Sequence, residues 1–297
     1  MLVACLGACH TDATAVTDGP VVLGTSNPAT VSRRPGGVAT NVARTLAALE
    51  VPVLLAGLVG DDGPGAELRR TLEDEGVDIT ALRTGPGATA GYTALVDGDG
   101  RLVVGIADMD RSEALDASWV EAVLPTVERA DLWVVDANLS ADGLAAVVAA
   151  AGDRPVLADP VSVTKAGRLV PHLGAVAAVF PDRGELEALG GRGDPVETAG
   201  GLARGCGATV VATLGRDGIV VADPDPALHP AIEPDRVVDP TGAGDAFLAG
   251  WVAGLAGLGD PIRLGLALGS LVVESVGTVP SGIDRARVDE RVARAGH

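Results

Sequence analysis

Short apolar runs alternate with amphipathic stretches along most of the chain, the pattern of a parallel sheet wrapped by helices. The runs Leu2–Gly7, Val53–Val59, Leu132–Asp136, Pro155–Ala158, Ala175–Phe180, Thr209–Leu214 and Gly218–Ala222 predict strands. Helical spacing predicts helices over Val38–Leu49, Gly65–Glu75, Ala141–Ala151, Glu185–Leu189, Glu197–Cys206, Ala243–Leu255 and Ile262–Glu274. The expected fold class is therefore α/β, a three-layer α/β/α sandwich with a mainly parallel central sheet.

Thr11–Arg34 and Gly87–Asp108 break the rhythm and read as strands with turns. Tyr92–Val96 and Leu102–Ile106 flank Asp97-Gly98-Asp99-Gly100, a hairpin signal. Neither excursion buries much alone. Paired, they would form a small β-sheet lid over one end of the main domain; unpaired, they would be surface hairpins without a role. In the first case residues 1–10, 35–86 and 109–297 make the large domain, and 11–34 with 87–108 the lid.

Composition narrows the function. Of 297 residues, 22 are Lys or Arg and 40 are Asp or Glu, a net charge of −18. Without a basic cluster there is no footprint for a polyphosphate backbone or an anionic bilayer, so neither nucleic acid nor membrane is an expected partner. Aromatic residues make up 2%, too few for base-stacking platforms. Three cysteines and four histidines lie scattered, without the spacing of a zinc site. Met1–Ala8 is apolar but short and unflanked by positive charge, so it reads as a first strand rather than a leader. A cytoplasmic enzyme is expected. Lys165 is the only lysine, and neither Gly-Lys-Ser/Thr nor a protein-kinase signature is present. Any phosphate site must use backbone amides and arginine.

The segment Asp239-Pro240-Thr241-Gly242-Ala243-Gly244-Asp245-Ala246-Phe247 carries the chemistry. Valines 237 and 238 read as a short strand before it, and a helix follows. Small residues at Gly242, Ala243 and Gly244 would let the chain turn sharply, so that amides converge at the positive end of the helix dipole and favour an anion. Asp245 beside them would repel a phosphate that is merely bound. It makes sense where a hydroxyl must be aligned with phosphorus and lose a proton late, as a loose phosphoryl-transfer transition state allows. An Asp capping a glycine-rich helix start is the alternative.

Asp239–Asp245 resembles the C-terminal signature of the ribokinase-like (PfkB) carbohydrate kinase family, and Arg34-Pro35-Gly36-Gly37-Val38-Ala39-Thr40-Asn41 resembles its N-terminal glycine signature. Gly57–Asp62 and Thr213–Gly218 extend the likeness over nearly the whole chain. The resemblance implies an ATP- and Mg²⁺-dependent phosphotransferase with an alcohol acceptor. In it Asp245 would be the catalytic base, and Gly242, Ala243 and Gly244 the anion hole. Asp12, Gly36, Gly37 and Asn41 would bind the sugar, and Thr213, Gly215 and Gly218 would approach ATP. Asp182 stands where the family usually has Asn, and Glu185 would meet Mg²⁺ through phosphate or water. Asp239 would help a K⁺ site.

Several short strings resemble the pseudouridine kinase branch of that family: Ser26-Asn27-Pro28, Ala107-Asp108-Met109, Asp136-Ala137-Asn138-Leu139 and Asp159–Lys165. The implied substrate is a ribosyl compound phosphorylated on its 5′-hydroxyl, pseudouridine first, with ribose or another nucleoside such as adenosine as alternatives and a non-catalytic nucleoside sensor as the reading from another class. Ser26 and Asn27 are candidates to contact the base. Asn138, at the carboxyl end of a strand, is a candidate substrate contact. Lys165 reads as an exposed structural helix residue. The open lid could pair two copies through strands such as Leu102–Ile106.

Overall fold

The computed structural model describes residues 1–279 and 282–294. Its strands are β1 (Val3–Leu6), β2 (His10–Thr17), β3 (Ala29–Gly36), β4 (Val53–Gly60), β5 (Leu82–Gly85), β6 (Gly91–Val96), β7 (Leu102–Asp108), β8 (Leu132–Asp136), β9 (Val156–Asp159), β10 (Ala178–Val179), β11 (Thr209–Thr213), β12 (Ile219–Ala222) and β13 (Pro226–His229). A nine-stranded sheet runs in the order β13-β12-β11-β10-β9-β8-β1-β4-β5. Its strands pair in parallel except at β11–β12 and β12–β13. The chain goes outward from β1 to β4 and later returns to place β8 on the other side of β1. That reversal opens a crevice at the carboxyl ends of β1 and β8, where ligands of such sheets bind.

Both faces of the sheet are covered, which is why its strands are continuous apolar runs rather than alternating ones. Helices Val38–Ala48, Ala243–Ala253 and Pro261–Val272 bury Val42, Leu46, Leu248, Val252, Leu264 and Leu268 on one face. Helices Ala117–Val127, Ala141–Ala151 and Pro195–Cys206 bury Val120, Val123, Leu144 and Val147 with Ala199 on the other. Six helices begin behind Asp62, Asp116, Ser140, Asp182, Asp194 or Asp260, whose side chains accept first-turn amides. Part of the acidic excess thus caps helices and favours their positive ends.

The second sheet is four-stranded, β3-β2-β6-β7. It joins the two excursions by a parallel β2–β6 ladder, and the hairpin expected around Asp97–Gly100 closes β6 onto β7. Its edge strand β7 leaves Leu102, Val103, Val104 and Ile106 exposed.

The structure departs from the expected elements in several places. Val237 and Val238 form no strand; they are 71% and 46% exposed, and Val238 N–H donates to the Val273 carbonyl at the end of a helix. Helix Ala117–Val127 is masked in the sequence by Pro125, which removes one hydrogen bond of its last turn. Helix Arg285–Arg294 buries only Val288 and Arg291, and Arg291 is held by Glu274 and Ser270. The edge strands β5 and β13 carry little hydrophobic signal and exist through pairing with β4 and β12.

Candidate active site

The crevice is organised by a carboxylate with no solvent exposure. Asp136, at the end of β8, accepts the Ala8 and Ala39 amides on Oδ2, both at 3.1 Å, and the Asn138 amide on Oδ1 at 3.0 Å. Burial holds its pKa above the usual range. It ties the chain after β1 to the first turn of helix Val38–Ala48, and only glycines fit the approach. Gly37 has φ +105, and a Cβ there would strike the Ala8 carbonyl; a Cβ at Gly36 would strike the Asp12 carboxylate. The glycine signature is thus a close-packing device, and its anchor lies about a hundred residues downstream in the sequence.

From that helix Asn41 reaches Asp245, its Nδ2 donating to Oδ2 at 2.7 Å across 204 residues of sequence. Asp12, on β2, lies 3.1 Å from His10 Nε2, while His10 Nδ1 is buried without a partner among the described residues. Asp245 sits in the first turn of helix Ala243–Ala253, behind Gly242 in the left-handed conformation at φ +83. Burial, and then the nearby charges of Asp136 and Asp12, push its pKa up to about 6 against the hydrogen bond from Asn41.

The turn ahead of this helix differs in detail from the expectation. Ala243 N–H is directed at the Pro240 carbonyl at 3.3 Å, and Thr241 N–H at Asp239 Oδ1 at 2.9 Å. Among the described residues the amides of Gly242, Gly244 and Asp245 find no protein acceptor. Asp239 closes the turn by accepting Thr241 N–H; among the described residues no group of three or more His, Cys, Asp or Glu is spaced to hold a metal.

A cavity of about 730 Å³ opens beside Asp245. Thr213, Gly215, Gly218, Asp182, Glu185, Ala243 and Gly244 line it, with Ile219, Ile232, Leu266 and both phenylalanines, Phe180 and Phe247, as an apolar wall. Gly218 has φ +94, and a Cβ there would strike the His229 carbonyl, so the end of β13 and the loop after it press directly on this turn. Asp182 caps helix Arg183–Gly190: its Oδ1 accepts Glu185 N–H at 2.7 Å, and Glu185 Oε2 accepts Asp182 N–H at 2.8 Å. Glu185 is 6% exposed, and burial pushes its pKa up to about 7.

Asp159, the first residue of the Asp159–Lys165 string but not among the expected site residues, faces the same cavity. Burial and the charges of Asp245 and Glu185 hold it well above the ordinary carboxylate range. Its side chain accepts Val161 N–H at 2.7 Å and holds that β-branched residue at φ +67, a conformation costing about 1–3 kcal/mol. Crowded acids that resist ionisation are the donor set a divalent cation would relieve. Mg²⁺ commonly takes one or two carboxylates and completes its shell with phosphate and water, which Asp159 and Glu185 fit.

Not every expected residue is gathered here. Asp12, Gly36, Gly37 and Asn41 are outside the cavity lining, although Asn41 reaches Asp245, which belongs to that lining, by a hydrogen bond. Ser26 and Asn27 lie in the β2–β3 loop at the far end of the lid ladder; Ser26 is exposed, and the Asn27 side chain bonds Val22 and Thr25 backbone. Asn138 is 4% exposed and outside the cavity lining, with its Oδ1 taken by Lys165 Nζ at 2.6 Å. Lys165 is therefore half-buried and engaged, not an exposed helix residue, and burial lowers its pKa.

The profile described as pfkB family carbohydrate kinase matches residues 1–285. The chain is 33% identical to a pseudouridine kinase of Escherichia coli over 77% of each chain. It is 34% identical to an ATP-dependent ribose-1-phosphate kinase of Halopiger xanaduensis over 73% of this chain and 72% of the other. A solved carbohydrate kinase from Agrobacterium tumefaciens superimposes with a TM-score of 0.86 at 28% identity, over 99% of this chain and 97% of that one. No described helix is long and apolar enough to cross a membrane.

Proposed function

Because the chain belongs to the pfkB family of carbohydrate kinases, we propose that it transfers the γ-phosphoryl group of ATP to the 5′-hydroxyl of a ribosyl compound, pseudouridine before other acceptors. The observation that carries this is the Asn41–Asp245 hydrogen bond, which joins the two glycine-rich motifs at a helix start with unspent amides.

Asp245 accepts the proton of the acceptor hydroxyl as the oxygen–phosphorus bond forms, and the amides of Gly242, Gly244 and Asp245 stabilise charge on the phosphoryl oxygens. A base held near 6 is ionised at neutral pH, yet stronger than an ordinary aspartate. Asp12, Gly36, Gly37 and Asn41 hold the ribose. Thr213, Gly215 and Gly218 approach the nucleotide, whose base is enclosed by Phe180, Phe247 and the neighbouring aliphatic wall. Glu185 and Asp159 would hold Mg²⁺, which neutralises charge on the phosphates. Asp182 spends its carboxylate on the helix cap, so it opposes a phosphate less than a free one would. The lid excludes water, which would otherwise compete as acceptor.

The choice of pseudouridine rests on the Escherichia coli relative and the short strings of the sequence. The Halopiger relative makes a ribose phosphate the second reading. Incubating the protein with Mg-ATP and, separately, pseudouridine, uridine, adenosine, ribose and ribose 1-phosphate, and measuring ADP, separates them. Turnover with pseudouridine alone supports the proposal. Turnover with another acceptor alone replaces the substrate, and binding without ADP release replaces the kinase by a sensor.

A further inference from the structure

No motif of the sequence marks Thr278, which lies in the segment after helix Pro261–Val272. Its hydroxyl donates to Asn41 Oδ1 at 2.8 Å, and the same amide donates from Nδ2 to Asp245 Oδ2 at 2.7 Å. Its backbone lies against the glycine turn: a Cβ added at Gly242 would come within 2.7 Å of Thr278 Cα and 2.9 Å of Cγ2. The methyl group therefore packs on the turn, and the hydroxyl faces Asn41.

A carboxamide offers a donor at one end and an acceptor at the other, and only the donor end suits an ionised carboxylate. A hydroxyl donating to the oxygen end selects the productive orientation. Resting on the reading of Asp245 as the kinase base, we propose that Thr278 is a positioning residue: through Asn41 it holds an amide N–H on Asp245 and keeps that carboxylate aimed at the acceptor hydroxyl. The Thr278–Asn41–Asp245 chain ties three segments remote in sequence into one hydrogen-bonded unit, so loosening its outer member is felt at the inner one.

The charges around Asp245 decide the direction of the effect. Asp136 faces it from β8, Asp12 and His10 from β2, Asp159 from the end of β9 and Glu185 from helix Arg183–Gly190. Burial, and then Asp136 and Asp12, raise its pKa, while Asn41 and His10 oppose them. Once Asn41 loses the partner that orients it, the carboxyl should titrate higher.

Thr278→Val keeps the shape and removes the hydroxyl; Thr278→Ser keeps the hydroxyl and removes the methyl. Asp245 is followed by carboxyl NMR of ¹³C-labelled aspartate, with its resonance assigned from Asp245→Asn. Thr278→Val should titrate upward by about half a unit or more and lose roughly fivefold in kcat, the worth of one neutral hydrogen bond. The acid limb of the rate profile should move the same way, with KM for the ribosyl acceptor changed less, and Thr278→Ser should restore all three. Titration of Thr278→Val like the wild type, a rise in KM with kcat unchanged, or failure of Thr278→Ser to restore would overturn the proposal. A wild-type protein that releases no ADP with any acceptor would overturn the kinase reading alone, and the NMR titration would still decide the role of Thr278.

Discussion

Replacing Asp245 by Asn is expected to lower turnover steeply and stabilise the empty protein. The carboxyl is lifted from 3.8 to about 6. At about 1.36 kcal/mol per unit, that shift makes the ionised group cost roughly 3 kcal/mol of folding free energy at neutral pH, and about 1–3 kcal/mol once its partial exposure is allowed for. The sign follows from linkage: the folded state binds the proton more tightly than the unfolded one, so the contribution is intact below about 4, falls as pH rises, and is fully lost above about 6. An amide at position 245 keeps an oxygen for the Asn41 N–H and carries no charge. The variant should therefore match the wild type within about half a kcal/mol near pH 4, and exceed it by about 1–3 kcal/mol at pH 7.5. Denaturant unfolding of both proteins at the two pH values, without ATP, measures the difference, and ADP release should fall by about 10²–10⁴-fold. A variant no more stable than the wild type at pH 7.5, or a gain that does not change with pH, would refute the electrostatic reasoning.

Gly37→Ala forces a Cβ into the Ala8 carbonyl at a backbone φ of +105; a loss of about 1–3 kcal/mol or more and a raised KM for the ribosyl acceptor are expected, and an unchanged thermal midpoint would contradict the packing argument. Arg291 and Glu274 pair at 2.6 Å with side-chain exposures of 5% and 9%, so Arg291→Ala leaves Glu274 with only the Asp235 N–H and a 3.7 Å contact to Arg287 and should cost about 1–3 kcal/mol, read from the denaturant midpoint. If two copies associate through the lid, Leu102→Glu with Ile106→Glu on its exposed strand should halve the mass seen by light scattering; a mass equal to that of the wild type would argue against this surface.

Much of the fold could be read in the sequence because a parallel sheet buried on both faces writes itself as apolar runs, and its covering helices as amphipathic ones. Leu132–Asp136 and Ala141–Ala151 match their predicted limits to the residue. The turn at Gly242 was equally legible, since a left-handed residue at a helix start needs glycine. What stayed hidden was set by partners distant along the chain. Helix Arg285–Arg294 offers only Val288 and Val292 at helical spacing and leans on Glu274 and Ser270, and β13 depends on β12, so the local signal of each is short.

The sequence by itself determined the α/β architecture, the absence of a lysine-based phosphate loop, and the two glycine-rich segments with Asp245 between helix and turn. Only the tertiary structure decided which groups surround that aspartate: Asp136 anchoring the glycine signature, Asp159 and Glu185 sharing the cavity, Asn41 donating to Asp245, and Thr278 behind Asn41. The physical reason is that periodicity records how each element buries its own apolar face. A carboxylate's hydrogen bonds and charge neighbours come from whichever strand ends and helix starts the reversal at β1 brings together, and no local pattern encodes that.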